Sequence, residues 1–172
     1  ECGAVHGCHI MLRGDLFCEE EPMPNRLCAY SIAVLKGLFE VSRGHEVSYM
    51  LAPLLAKDSG LAVDEGFGEA RTYKNTVELT LDAEKCSVSL IGTITEEGRM
   101  RVVKVNDYWL DFVPNGKLIL FQNHDRPGVI GKIGNILGES KINIANFALG
   151  RKDNSVLALG ALEVDSDIDD NK

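Results

Sequence analysis

Apolar and polar positions follow two rhythms along the chain, helices mixed with short strands before about residue 60 and strict alternation after it. His6, Cys8 and Ile10 stand two apart, and β-compatible residues from Val5 to Leu16 surround Arg13-Gly14-Asp15, which predicts a strand running into a turn. Pro22, Pro24 and Asn25 make a helix-start signal. After it Leu27, Tyr30, Val34, Leu35, Leu38 and Val41 recur at helical spacing as far as Gly44, predicting an amphipathic helix with a glycine stop. Val47 to Leu51 is short and apolar enough for a strand, and Pro53 opens a short helix through Ser59 that Gly60 ends. The first rhythm predicts strand, helix, strand, helix.

From Val63 the pattern becomes strands cut by turns. Thr76 to Leu81, Cys86 to Thr95 and Met100 to Phe112 are predicted strands, with turns at Asp82 to Lys85 and Glu96 to Gly98. Asn115-Gly116 is the strongest short hairpin signal, and the domain boundary is placed there. Beyond it the pattern predicts strand Lys117 to Asn123, loop His124 to Arg126, helix Pro127 to Gly138, and strands Ile142 to Gly150 and Ser155 to Asp165. Val129, Ile130, Ile133, Ile136 and Leu137 form the helix's apolar stripe. A split β-α-β fold needs one more helix and strand, but the sequence passes into the acidic run Asp165 to Lys172. The expected class is α+β: a mixed or antiparallel sheet domain with two helices over residues 1–116, then an incomplete ferredoxin-like unit over residues 117–172.

With 172 residues, 45% of them hydrophobic, the chain can bury a real core. Its net charge of -8 argues against nucleic acid, which selects a basic face. No apolar run is long enough for a membrane span, no leader pattern opens the chain, and Glu1 in place of Met suggests a piece of something longer. Five irregularly spaced cysteines (Cys2, Cys8, Cys18, Cys28, Cys86) suggest reduced thiols in the cytoplasm. Cys2, His6, Cys8 and His9 contain ligand types suited to zinc. Without CxxC spacing, and with strand-like alternation there, no metal site is expected.

Catalytic patterns are missing as well. Gly66-Phe67-Gly68 lacks the third glycine of a dinucleotide fingerprint, and Gly128, Gly131 and Gly134 fall within a helix. His6, His9, His45 and His124 sit on unrelated elements, so no catalytic residue and no cofactor are assigned to this chain. Trp109 reads as core or interface.

Two groups remain as candidate binding chemistry. The helix start at Pro127, Gly128 and Val129 exposes backbone N–H groups that suit a carboxylate, and Asp125 beside it suits an ammonium group. Together they suit a free amino acid. The alternative is that Asp125 caps the helix and Asn143 merely begins a strand at a turn. Arg99 and Arg101 share a strand face if alternation holds, with Lys104 opposite, and this is either a bidentate anion-binding pair or a charged solvent face.

The stretch from Asn123 to Asn146, with Asp125-Arg126-Pro127-Gly128 before the helix and Asn143-Ile144-Ala145 after it, resembles the ACT domain of D-3-phosphoglycerate dehydrogenases. ACT domains of L-serine dehydratases share much of the pattern. Upstream, Arg13-Gly14-Asp15, Leu35-Lys36-Gly37-Leu38-Phe39 and Ala52-Pro53-Leu54-Leu55-Ala56-Lys57 are similar to the allosteric-substrate-binding domain of the longer dehydrogenases. The resemblance implies a regulatory fragment whose parent oxidises 3-phosphoglycerate with NAD in serine biosynthesis, with the catalytic residues elsewhere. It implies L-serine as effector, held by Asn123, Asp125 and the helix start at Pro127, Gly128 and Val129, with Asn143 reaching in from a second subunit of a homo-oligomer. It also matches Arg101 to a basic position for phosphate-bearing anions. The regulatory region of an L-serine dehydratase and a stand-alone amino-acid sensor are the alternatives.

Overall fold

The computed structural model describes residues 2–17, 27–152 and 155–166. Cys18, the helix-start signal at Pro22, Pro24 and Asn25, and most of the acidic run lie outside the described residues. The fold is α+β with a mixed sheet. The chain divides into two compact units, Glu1–Ser89 and Leu90–Lys172.

In the first unit, β1 (Val5–Arg13) lies between β2 (Ala62–Gly68), parallel to it, and β3 (Thr76–Ala83), antiparallel. The chain travels from β1 to β2 through a single 3-10 turn at Asp15–Phe17 and two helices, α1 (Ala29–Arg43) and α2 (Ala52–Asp58). A parallel neighbour requires such a crossover. Alternation puts Cys8, Ile10 and Leu12 on one face, where they meet Leu35, Val47, Ala52, Leu55 and Ala56 in the core. His6 leaves that face because the register with β3 shifts between Val5 and Gly7. Gly14 at the end of β1 has φ 112°, and a Cβ there would stand 2.0 Å from the Lys74 carbonyl oxygen, so the turn demands glycine.

The α1 start is set by Cys28, whose sulfur accepts from the Ser31 amide at 3.4 Å, and Gly44 ends the helix at φ 68°. The strand expected at Val47 to Leu51 is a turn. Val47 is fully buried, but Ser48 Oγ and the Ser48 carbonyl accept from Leu51, so the segment leads into α2 instead of pairing.

In the second unit the sheet order is β4 (Ser87–Ile94), β5 (Met100–Val105), β6 (Tyr108–Phe112), β8 (Ile144–Arg151), β9 (Leu157–Val164), β7 (Lys117–His124); β4 begins just before the division between units. The expected single strand from Met100 to Phe112 is broken by a turn at Asn106, which has φ 51°. Asn115-Gly116 does not close a hairpin: β7 pairs with β9, and β6 pairs with β5 and β8. Between β7 and β8 runs α3 (Val129–Glu139).

One sheet face of this unit buries Val102, Val105, Tyr108, Leu110, Phe112 and Ala161. On the other, Ile133, Ile136 and Leu137 of α3 meet Ile119, Phe121 and Leu162 around an apolar groove of about 340 Å³. Phe121 stacks on Phe147 at 6.5 Å between ring centroids.

Candidate functional site

β7, the loop after it, the start of α3 and the end of β8 surround a cavity of about 310 Å³ lined by Asn123, Asp125, Arg126, Pro127, Gly128, Val129, Ile130, Leu149 and Arg151. The sequence-predicted residues Asn123, Asp125, Pro127, Gly128 and Val129 thus meet in one place. β7 carries Asn123 to the sheet's end, and the Asp125 amide donates to the Val156 carbonyl at 2.8 Å, which pins the loop. Gly128 begins α3 at φ 90° with no side-chain capping bond. Asp125 is therefore not a helix cap. The first-turn amides keep the partial positive charge that favours an anion.

Asn123 donates through Nδ2 to the His124 carbonyl at 2.8 Å, while its buried Oδ1 has no hydrogen-bond partner. An unsatisfied buried acceptor calls for a donor, and a ligand ammonium or hydroxyl can supply one.

Arg151 is the site residue that the motif did not indicate. Its Nε lies 2.6 Å from Asp125 Oδ2 and its Nη2 3.3 Å from Oδ1, a two-point grip on the carboxylate. Alternation along β8 held the clue, since Arg151 stands two residues after Leu149 and both line the cavity. Gly150 next to it lets β6 approach: a Cβ there would fall 2.5 Å from the Trp109 carbonyl oxygen. Asn143 stays outside this cavity and hydrogen-bonds Asp165, helping hold that carboxyl below its usual range.

Of the three expected anion residues, Arg101 and Lys104 have side-chain neighbours on β6. Arg101 pairs with Asp111, Lys104 stands 5.2 Å from the Trp109 ring centroid, and the Arg99 amide donates to Thr95 Oγ1 at 3.3 Å. Lys104 shares a face with Arg101 instead of opposing it, because β5 carries an extra residue between Val102 and Lys104 relative to β4. Trp109 is half exposed, not core.

In the first unit, His9 lies between Asp64 on β2 and Asp82 on β3, its Nε2 2.7 Å from Asp82. The bond to Asp82, with Asp64 adding to it, raises the imidazole pKa above its ordinary value. Two of the cysteines read as reduced, Cys2 and Cys86, form a disulfide. Cys8 points into the core, where burial and the nearby Asp64 push its thiol up to about 11. Among the described residues no group of three or more His, Cys, Asp or Glu could hold a metal ion, and no helix is long and apolar enough to cross a membrane.

Comparison with known families agrees with this geometry. Residues 15–106 match the D-3-phosphoglycerate dehydrogenase intervening domain, and residues 117–171, which contain the cavity, match the ACT domain. The chain belongs to the D-3-phosphoglycerate dehydrogenase family, as its regulatory region. It is 30% identical over 151 residues to D-3-phosphoglycerate dehydrogenase of Methanocaldococcus jannaschii, covering 88% of this chain and 28% of that protein. For the Synechocystis dehydrogenase the figures are 29% over 171 residues, 98% and 30%. A probable L-serine dehydratase β chain of Bacillus subtilis is 28% identical over 141 residues, covering 81% of this chain and 64% of that one. The chain thus spans less than a third of the dehydrogenases it matches.

Proposed function

We propose that this chain is the amino-acid-sensing part of a cytoplasmic, NAD-dependent D-3-phosphoglycerate dehydrogenase of serine biosynthesis, and that its effector is L-serine. The observation that carries the reading is the cavity at the start of α3, where Asp125, the unpartnered Asn123 Oδ1 and uncapped helix amides meet in the segment that matches the ACT domain. Asp125 takes the ammonium group and the helix start takes the carboxylate. NAD is assigned to the rest of the protein. A domain boundary near Gly116, and a site for a phosphate-bearing anion at Arg101 with Arg99 and Lys104, are part of the same proposal.

Assembly follows from surface. Leu118, Leu120, Ile130 and Ile136 are exposed in the second unit, and a second copy is the proposed cover, with Asn143 of that copy completing the serine site. Serine then biases the arrangement of subunits by binding one arrangement more tightly.

Calorimetry on the full chain tests the ligand: L-serine should bind better than L-alanine or D-serine, and equal heats for all three would remove the assignment. Sedimentation velocity with and without serine tests the assembly, where a monomer at high micromolar concentration in both cases would exclude an interface-borne site. The relative from Bacillus subtilis keeps one second reading, the regulatory part of an L-serine dehydratase. A Gly-rich strand-turn-helix upstream of Glu1 would favour the dehydrogenase.

A further inference from the structure

We propose that Arg151 binds the carboxylate of the incoming amino acid, and that before the ligand arrives it closes the site by holding Asp125. The inference rests on the amino-acid reading of this cavity. Asp125 is only 30% exposed and both of its oxygens are engaged by Arg151, so a ligand ammonium competes with the guanidinium for the carboxylate. Moving it without compensation would break a two-point ion pair. An α-amino acid supplies that compensation, because it carries its own carboxylate one carbon from the ammonium. Inserted between the two side chains, it turns one ion pair into two.

The residues are built for that exchange. The Arg151 backbone is fixed in β8, paired with Ala158 on one side and Trp109 on the other, while its side chain is 70% exposed and free to swing by rotamer changes. The charged groups lining the cavity are Asp125, Arg126 and Arg151, so with Asp125 on the ammonium a guanidinium remains for the carboxylate. The helix start adds its partial positive charge to that guanidinium, so the two hold the carboxylate together. The site therefore selects for a free α-carboxylate, and an amino-acid amide or amino alcohol must break the Arg151–Asp125 pair without giving Arg151 a new partner.

The test is calorimetry of L-serine and L-serinamide on the full chain and on Arg151→Gln, with Arg126→Gln as comparison and thermal melts to verify folding. The native chain should prefer L-serine by at least about tenfold. Arg151→Gln should remove most of that preference, weakening L-serine and leaving L-serinamide unchanged or tighter, because Asp125 is now open. An unchanged ratio in Arg151→Gln, or its collapse in Arg126→Gln instead, overturns the proposal while leaving the amino-acid site intact. Tighter binding of both ligands to Arg151→Gln overturns it too, since Arg151 would then only block. If another α-amino acid outcompetes serine and its preference over its own amide still collapses in Arg151→Gln, the carboxylate anchor stands and serine alone falls. No binding of any α-amino acid to the native chain sinks both.

Discussion

Cys8, Ile10, Leu12, Leu35 and Val47 of the first unit are all at most 1% exposed, whereas α3 of the second buries Leu137 and leaves Ile130 and Ile136 49% and 61% exposed. The first unit has two helices on the core face of β1 and a disulfide tying Cys2 to Cys86, so the apolar residues on that face of β1 are covered within the chain. The second packs one sheet face well and covers the other with a single helix beside an open groove. The second unit keeps the buried Asn123 oxygen beside its cavity and the exposed α3 stripe, and is the one where ligand and partner are expected.

The largest test of that contrast is the cross-link. Closing an 84-residue span should contribute about 4 kcal/mol to stability by restricting the unfolded chain, so reduction or Cys2→Ser should lower the urea midpoint of the first unit by a corresponding amount. The second unit, followed by Trp109 fluorescence, should hardly respond; equal loss in both would mean that they unfold as one. Core truncation comes next. Leu35→Ala should cost about 3 kcal/mol, but Ile136→Ala, already mostly exposed, less than about 1 kcal/mol. Similar costs would erase the difference in closure.

Binding should show the reverse asymmetry. Asp125→Ala should weaken serine by about 1.5 to 3 kcal/mol with little change in melting temperature, and calorimetry beside a thermal melt separates the two. An unchanged affinity would reduce Asp125 to a structural partner of Arg151.

The smallest effect belongs to His9. Because Asp82 and Asp64 raise its folded pKa above 6.5, its stabilising contribution is fully present below that unfolded value and is lost as pH rises through the folded one. Native protein should therefore lose more melting temperature than His9→Gln between about pH 6 and pH 9, by a small margin because the group is half exposed. Parallel curves would mean that the imidazole contributes nothing.

Local chemistry was legible in the sequence. The period of Val129, Ile133 and Ile136, the Pro127-Gly128 entry and the alternation along β7 and β9 located α3 and its flanking strands within a few residues, and they gathered Asn123, Asp125 and Gly128 before any contact was known. Those are properties of neighbours in the chain, governed by backbone geometry at each position. What the tertiary structure decided lies between distant segments: β2 joining β1 in parallel, Val47 to Leu51 forming a turn instead of a strand, Cys2 meeting Cys86, and the residue added to β5 relative to β4 that moves Lys104 to the Arg101 face. Arg151 belongs with these. It reaches Asp125 from 26 residues away because β7 and β8 flank β9 and both end beside its first residues, and no pattern within either strand encodes that shared neighbour.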